Sequence, residues 1–481
     1  MSNYKTVFFI LGILQIILGV SMIFPIITQF IFEELDSSFI SASIITIIFG
    51  ILFLLSNLEN DKKLNLQHAF LLTALSWVSV AIFGSLPFVF SELNLSVTDS
   101  FFESMSGITT TGSTIITDLN SAPKGILVWR AILQWLGGIG VIVMAITLMP
   151  IMNVGGMQLL KVSSSDASEK ILPKTKEITI RIIIIYLVLT FLCAFFYKIF
   201  GMKFFDSLTH SMTTIATGGF SNYNDSIGHF NNIKIEITSM FFIILGSIPF
   251  IAYIKYLSGK KNIFYTDVQI KSFIKIIFYS ILILFFYLIL FNKNFSTVSL
   301  RYVSFNVISI LTGTGYVTTN FDNWGNFPLI YFLILMFIGG CAGSTTCGIK
   351  IFRVQILYKF LKNQLKKIIY PRGIFIIKYD NSNVNEKFMA SIISFIYLYI
   401  VIFFIIAALL SLSGLDFTTS ISGAATSISN VGPGLGELIG PNGNFSQIPS
   451  LSKWVLSLGM ILGRLELFAI LVLFLPSFWQ K

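Results

Sequence analysis

The sequence predicts an all-α membrane protein of ten spans, in which four pseudo-repeated span/short-helix/span units surround one axis and two further transmembrane helices precede them. Three observations predict it. The composition is mostly hydrocarbon, basic linkers alternate with linkers rich in Ser, Thr and Gly, and one hydroxyl-then-glycine pattern recurs four times in the same topological slot.

Of 481 residues, 55% are hydrophobic and 11% charged, and the mean hydropathy is +0.84, outside the range of soluble domains. Stretches such as "VFFILGILQIILGVSMIFPIITQF" (7–30) and "IIFYSILILFFYLILF" (276–291) are long enough, or nearly so, to cross a hydrocarbon core of about 30 Å as a helix. A membrane β-barrel would show short alternating segments instead.

Spans are expected near 5–30, 39–57, 67–91, 126–151, 179–200, 234–257, 273–291, 327–349, 388–413 and 453–476. The first has only Lys5 before it and no small-residue cleavage site after it, so it reads as a retained helix. Cys193, Cys341 and Cys347 all lie in apolar or glycine-rich stretches, which argues against a disulfide framework or a zinc site. The net charge of +10 comes from basic residues between spans, where the positive-inside rule accounts for it without nucleic acid. The 350–387 linker carries nine Lys and Arg and the opposite-side segment 414–452 none, so both termini are expected in the cytoplasm.

The opposite-side segments repeat. "DSFFESMSGITTTGSTI" (99–115), "DSLTHSMTTIATGGFSN" (206–222), "YVSFNVISILTGTGYVTTN" (302–320) and "DFTTSISGAATSISNVGPGLG" (416–436) each hold a short amphipathic stretch, then hydroxyl or amide residues, then a glycine. Each lies between two spans, so all four units share one orientation, as parallel repeats about an axis do. The units are expected at 67–165, 166–266, 267–370 and 371–481, after an N-terminal pair at 1–66. Such segments suit re-entrant helices whose irregular return is buried in protein.

The chemistry that fits is a cation path. A permeating cation must trade its hydration shell for protein oxygens, and carbonyls around an axis supply them. Glycine opens backbone conformations closed to other residues, and the partially negative C-terminus of each short helix favours a cation.

On these loops, together with "FIGGCAGSTTCGIKIFRVQ" (337–355), "NVGPGLG" (430–436), "LGRLELFAILVLF" (462–474) and the stretch "QWLGGIGVIVMAITLMPIMNVGG" starting at Gln134, the chain resembles the Trk/Ktr/HKT superfamily of potassium transport proteins, and its bacterial TrkH branch in particular. The resemblance covers essentially the whole chain. It implies a central pore with potassium as the transported ion and no organic cofactor.

By position it implies a selectivity filter of Thr109, Thr110, Thr111 and Gly112; Ile215, Ala216, Thr217 and Gly218; Thr312, Gly313, Thr314 and Gly315; and Ser429, Asn430, Val431 and Gly432. Potassium is expected at Thr110, Thr111, Ala216, Thr217, Gly313, Thr314, Asn430 and Val431. In plant relatives a serine at the first filter glycine goes with sodium preference, and Gly112 here points to potassium. Gly313 departs from the pattern, which more often has Thr.

The density of helix breakers in 339–348 reads as an unwound segment, acceptable in a membrane only where it lines a cavity. The resemblance makes Gly339, Gly340, Gly343, Ser344, Thr345, Thr346 and Gly348 an intramembrane gating loop, with Arg464 an electrostatic barrier below the filter. A charge at mid-span costs at least about 2.5–3.5 kcal/mol, so Arg464 should face the bundle interior or water. Glu466, two residues on, points to another helix face, so an ion pair for Arg464 would instead use Glu437 or another pore-loop acid, and the barrier reading is preferred.

Asp99, Asp206 and Asp416 begin the short helices as N-caps or cation attractors, with Glu103 open to either role. His210 and His229 read as polar loop residues, and Lys350 and Arg353 as markers of the cytoplasmic interface. A sodium- or proton-coupled symporter is the alternative reading, although such coupling normally requires carboxylates in the path. Intramembrane catalysis lacks an HExxH, GxSxG or Ser/His/Asp set. The resemblance further implies a homodimer with one pore per protomer, in contact with membrane lipid in the cell inner (cytoplasmic) membrane. A cytosolic nucleotide-binding subunit of the TrkA type is expected on the basic linkers.

Overall fold

The computed structural model describes residues 4–34, 36–58, 65–147, 171–291, 297–380 and 382–480. The end of the fourth expected span, the boundary at 165/166 and much of the 57–67 and 161–181 linkers lie outside them.

Among the described residues the regular structure is helical apart from a two-residue ladder that pairs Lys378–Tyr379 with Ser382–Asn383 and a single bridge between Ile338 and Ile349. Among the described residues, seven helices are long and apolar enough to cross a membrane. Two more spans are bent pairs, Ile233–Ser247 with Phe250–Leu257 at 86° and Ser450–Arg464 with Phe468–Phe474 at 107°. The remaining expected span, 327–349, is helical only over Asn326–Phe337. Ten crossings are compatible with this arrangement.

Each break has a local cause. Pro249 forces Ile248 out of helical geometry, to φ −83° and ψ 146°, which ends the first half of span 6. In span 10, Glu466 and Leu467 take left-handed φ of 57° and 44°. In span 8 the helix stops where the four glycines begin.

The N-terminal pair, Lys5–Ile31 and Ser38–Leu55, packs through small residues. A Cβ on Gly12 would lie 2.7 Å from the Gly50 carbonyl oxygen, the close backbone approach that membrane helices use where hydrophobic driving force is absent.

Four short helices fill the expected slots: Val97–Ile108, Phe204–Ile215, Thr297–Leu311 and Phe417–Ser429. At 1.5 Å per residue each reaches only about 18–23 Å, too short to span. The first is capped by Ser96, whose hydroxyl accepts from the Asp99 amide at 3.1 Å, and the fourth by Asp416, which accepts from Thr419 at 3.1 Å. Asp99 and Asp206 are first-turn residues and not N-caps.

Candidate functional site

The four short helices end in one and the same backbone motif. Thr110, Thr217, Gly313 and Asn430 have φ of 53°, 50°, 72° and 53°, and two residues further on Gly112, Gly219, Gly315 and Gly432 have φ of 89°, 78°, 77° and 108°. Between them Thr111, Gly218, Thr314 and Val431 each donate their amide to a carbonyl five residues back, at 2.9, 2.9, 2.9 and 3.1 Å. This is how a helix end with a left-handed residue satisfies its last carbonyls.

The second loop is therefore one residue out of the expected register. Gly219 occupies the place of the other three glycines, and Gly218 the place of Thr111. The paired glycines "GG" make the register ambiguous in the sequence, and φ resolves it.

The loops close on one another. A Cβ on Gly112 would lie 2.3 Å from the Gly218 oxygen; on Gly219, 1.8 Å from that of Thr314; on Gly315, 2.0 Å from that of Val431; on Gly432, 2.8 Å from that of Thr111. Each glycine packs against the carbonyl of the next unit, and the fourth returns to the first. The contact is a ring, and any side chain at a ring glycine would collide with neighbouring backbone. All four glycines also line one cavity, whereas Gly218 does not.

The spans lean on the same motif from behind. Cβ atoms at Gly137, Gly246 and Gly463 would lie 1.9, 2.9 and 2.0 Å from the carbonyl oxygens of Ile108, Ile215 and Ile428, which are equivalent positions in the motif. Sequence reasoning passed over these three glycines because each looks like ordinary small-residue packing.

Polar side chains behind the loops are buried and paired. Glu103, fully buried, lies 2.7 Å from Arg130 Nε and accepts from the Ile115 amide at 2.9 Å. Arg130 donates to the Ser221 carbonyl at 2.7 Å. Gln134 donates to the Gly218 carbonyl at 2.6 Å and accepts from the Phe220 amide at 3.0 Å. His210 is buried within the second short helix, its ring nitrogens 2.9 Å from the Asp206 carbonyl and the Ser221 hydroxyl, so it is no loop residue. His229 is exposed and stacks on Tyr223 with ring centroids 3.6 Å apart. Between units, Arg301 pairs with Glu236 at 2.5 Å and Lys453 with Asp99 at 2.5 Å.

Breaking a buried ion pair by removing one partner leaves an uncompensated charge, at a cost of about 3–5 kcal/mol. Glu103→Ala is accordingly expected to lower the thermal unfolding temperature of the purified chain sharply. Surface Glu177→Ala, whose Arg181 partner is half exposed, should leave it unchanged.

Asp322 tethers the loop after the third short helix to the fourth, accepting from the Gly436 amide at 3.0 Å. Burial pushes its carboxyl up to about 6 from 3.8, opposed by that hydrogen bond. A raised carboxyl favours the folded state most below the unfolded value, and that contribution is lost as pH rises through about 6. Asp322→Asn keeps an acceptor for Gly436 without the charge. Its unfolding temperature should therefore lack the decline that the parent shows between pH 4 and 7, measurable by fluorimetric melts.

On the other side of the ring, residues 338–350 form an unwound loop docked into the break of span 6. Phe250 N donates to Gly343 O at 2.9 Å, Thr345 N to Gly246 O at 3.2 Å and Cys341 N to Ser247 O at 3.3 Å. Ile338 and Ile349 bridge its ends. The kink at Pro249 is what frees the Gly246 and Ser247 carbonyls. Thr345 touches the ring, accepting from the Thr217 hydroxyl at 3.1 Å.

Arg464 is 3% exposed. It donates to Thr345 O at 3.1 Å and Gly137 O at 3.2 Å, contacts the Cys347 sulfur, and lies 5.7 Å from the centroid of the Trp77 ring. Among the described residues it has no carboxylate partner. Glu437 is exposed, and Glu466 pairs with Arg353 at 2.6 Å. Arg353 is 4% exposed, and Lys350 turns back onto Thr346.

With this geometry in hand, the relatives are informative. The sequence profile of the family described as "TrkH: Cation transport protein" matches residues 35–481. The chain belongs to the TrkH family. It is 39% identical over 474 residues to the Trk system potassium uptake protein TrkI of Halomonas elongata, covering 98% of this chain and 96% of that protein. It is 33% identical over 486 residues to the Trk system potassium uptake protein TrkH of Escherichia coli strain K12, covering all of both. The crystal structure of the potassium transporter TrkH from Vibrio parahaemolyticus superposes with a TM-score of 0.92 at 32% identity, over 99% of this chain and 100% of that one. The family is described as one of cation transport, and the apolar helices of this chain make it a multi-pass membrane protein.

Proposed function

We propose that this TrkH-family chain carries potassium across the cytoplasmic membrane through a selectivity filter made by the four loops. The observation that carries the reading is the closed ring, in which four equivalent glycines each abut the next unit's carbonyl. A ring of this kind gathers backbone carbonyls from all four loops, and carbonyls arranged around an axis can replace an ion's hydration shell without trapping it. In the second loop the filter residues are then Ala216, Thr217, Gly218 and Gly219. The buried Thr110 hydroxyl, which has no hydrogen-bond partner among the described residues, adds an uncommitted oxygen.

In this reading the 338–350 loop and Arg464 obstruct the path on the cytoplasmic side, and loop movement opens it. A cytosolic nucleotide-binding subunit provides the drive. The amphipathic helix Ile351–Ile369 continues directly from the loop and exposes Lys359, Lys362, Lys366 and Lys367, a basic handle for an acidic partner surface. Deleting 356–370 should abolish binding of the cognate cytosolic subunit in a pull-down, and unchanged binding would refute the docking site. Two copies of the chain, each with its own pore and with both termini in the cytoplasm, complete the assembly.

Coupled symport is the weaker reading, because the buried carboxylates Glu103 and Glu236 are committed to arginines and Asp206 to Asn222 and Tyr223. The deciding experiment is potassium and sodium flux through proteoliposomes of the full chain with its cytosolic partner. Potassium flux that follows its own gradient, indifferent to imposed sodium or proton gradients, is expected. Flux that requires either gradient would favour the symporter.

A further inference from the structure

Spans 1, 3 and 4, with Ile108 at the end of the first short helix, line an apolar cavity of about 440 Å³ that is open on one side. Ile10, Leu14 and Ile17 wall one side, Leu72 and Val80 a second, and Gly140 a third. An apolar cavity of about 150 Å³ already stays dry and takes up benzene, so one nearly three times larger calls for an apolar occupant and not for water. Ile17 is 52% exposed. The mouth therefore opens among side chains that, at mid-span, meet bilayer hydrocarbon.

A second observation gives the occupant a head. His68 is 6% exposed, and neither ring nitrogen has a hydrogen-bond partner among the described residues. It starts a stripe of span 3 at spacing four, His68, Leu72, Ser76 and Val80, of which the last three line the cavity. From His68 to Val80 the helix rises about 18 Å, close to the ~15 Å depth of one leaflet's hydrocarbon. His68 begins span 3 at the end that the proposed topology puts at the cytoplasmic surface, the level at which lipid headgroups lie.

We propose that this cavity holds one acyl chain of a cytoplasmic-leaflet phospholipid whose phosphate accepts a hydrogen bond from the His68 imidazole. The site is independent of the ion path proposed above, and binding alone tests it.

The full chain is reconstituted in phosphatidylethanolamine/phosphatidylglycerol vesicles with a trace of phosphatidylglycerol bearing a diazirine at mid-chain, irradiated, digested and mapped by mass spectrometry. Label should concentrate on residues 10–18 and 72–80 above that on the exposed face at Phe191, and excess unlabelled phospholipid should displace it. Gly140→Leu should remove most of it, because a Cβ there meets only the Trp77 ring, at 4.0 Å, and the longer side chain grows into the cavity. His68→Phe should also weaken retention.

Label no higher than at Phe191, or unchanged by Gly140→Leu, would overturn the proposal. A disulfide between two copies of Ile17→Cys in place of lipid label would overturn it too, in favour of a second copy over the mouth. If Gly140→Leu does not fold, displacement by unlabelled lipid decides the question on the parent chain.

Discussion

Replacing Gly219 with alanine is expected to reduce potassium flux by about a hundredfold or more, whereas alanine at Gly218 should leave a large part of it. The two neighbours look interchangeable in "ATGGF" but are not. Gly219 has φ +78°, and a Cβ there lies 1.8 Å from the Thr314 carbonyl oxygen. Alanine thus incurs about 1–2 kcal/mol for the left-handed backbone and an overlap that only movement of Thr314 relieves. Thr314 belongs to the next loop, so the distortion passes into the ring itself. At Gly218 the Cβ meets the Gln134 amide at 2.4 Å, the far end of a flexible side chain that can swing away. The loss there is two hydrogen bonds, each worth about 0.5–1.5 kcal/mol. Rubidium uptake by proteoliposomes, with matched unfolding temperatures, distinguishes the pair. If Gly218→Ala is the more damaging, the ring register described above is wrong.

That pair also marks where the sequence stops being legible. The helical membrane fold and its four short helices were readable because they rest on hydropathy and on a repeat, signals that accumulate over many residues. In three of the four loops the glycine singled out from the sequence is the one with the ring φ. In the second it is not, because two adjacent glycines satisfy the same pattern and only φ tells them apart. The unwound 338–350 segment was readable from its breakers, but the surface it docks on was not. That surface exists because Pro249 bends a helix some ninety residues earlier in the chain and exposes the carbonyls of Gly246 and Ser247. The partners of the buried charges were illegible for the same reason. Helical periodicity ruled out Arg464 with Glu466, but nothing local indicated that Glu466 belongs to Arg353, more than a hundred residues away.

Arg464→Gln is expected to raise basal potassium flux, measured without the cytosolic partner, by about 10–100-fold. The guanidinium does two things at once. It puts a positive charge with no carboxylate partner among the described residues beside the 338–350 loop, where little water screens it. It also ties the Thr345 carbonyl of the loop to span 10, and the Gly137 carbonyl of span 4 to the same group. A hydrogen bond from a charged donor contributes about 1.5–3 kcal/mol, and about 1.4 kcal/mol is tenfold in an equilibrium constant, so, under the gating proposed above, losing the Thr345 tether alone would shift the loop towards its open state by that range. Glutamine retains one donor and no charge. Arg464→Lys separates the two effects, because lysine keeps the charge without the planar fork that reaches two carbonyls together. Its basal flux should fall between those of the parent and Arg464→Gln. Equal flux in Lys and Gln variants would assign the barrier to the tether, and parental flux in the Lys variant would assign it to the charge. Parental flux in the Gln variant, with an unchanged unfolding temperature, would remove Arg464 from the ion path altogether.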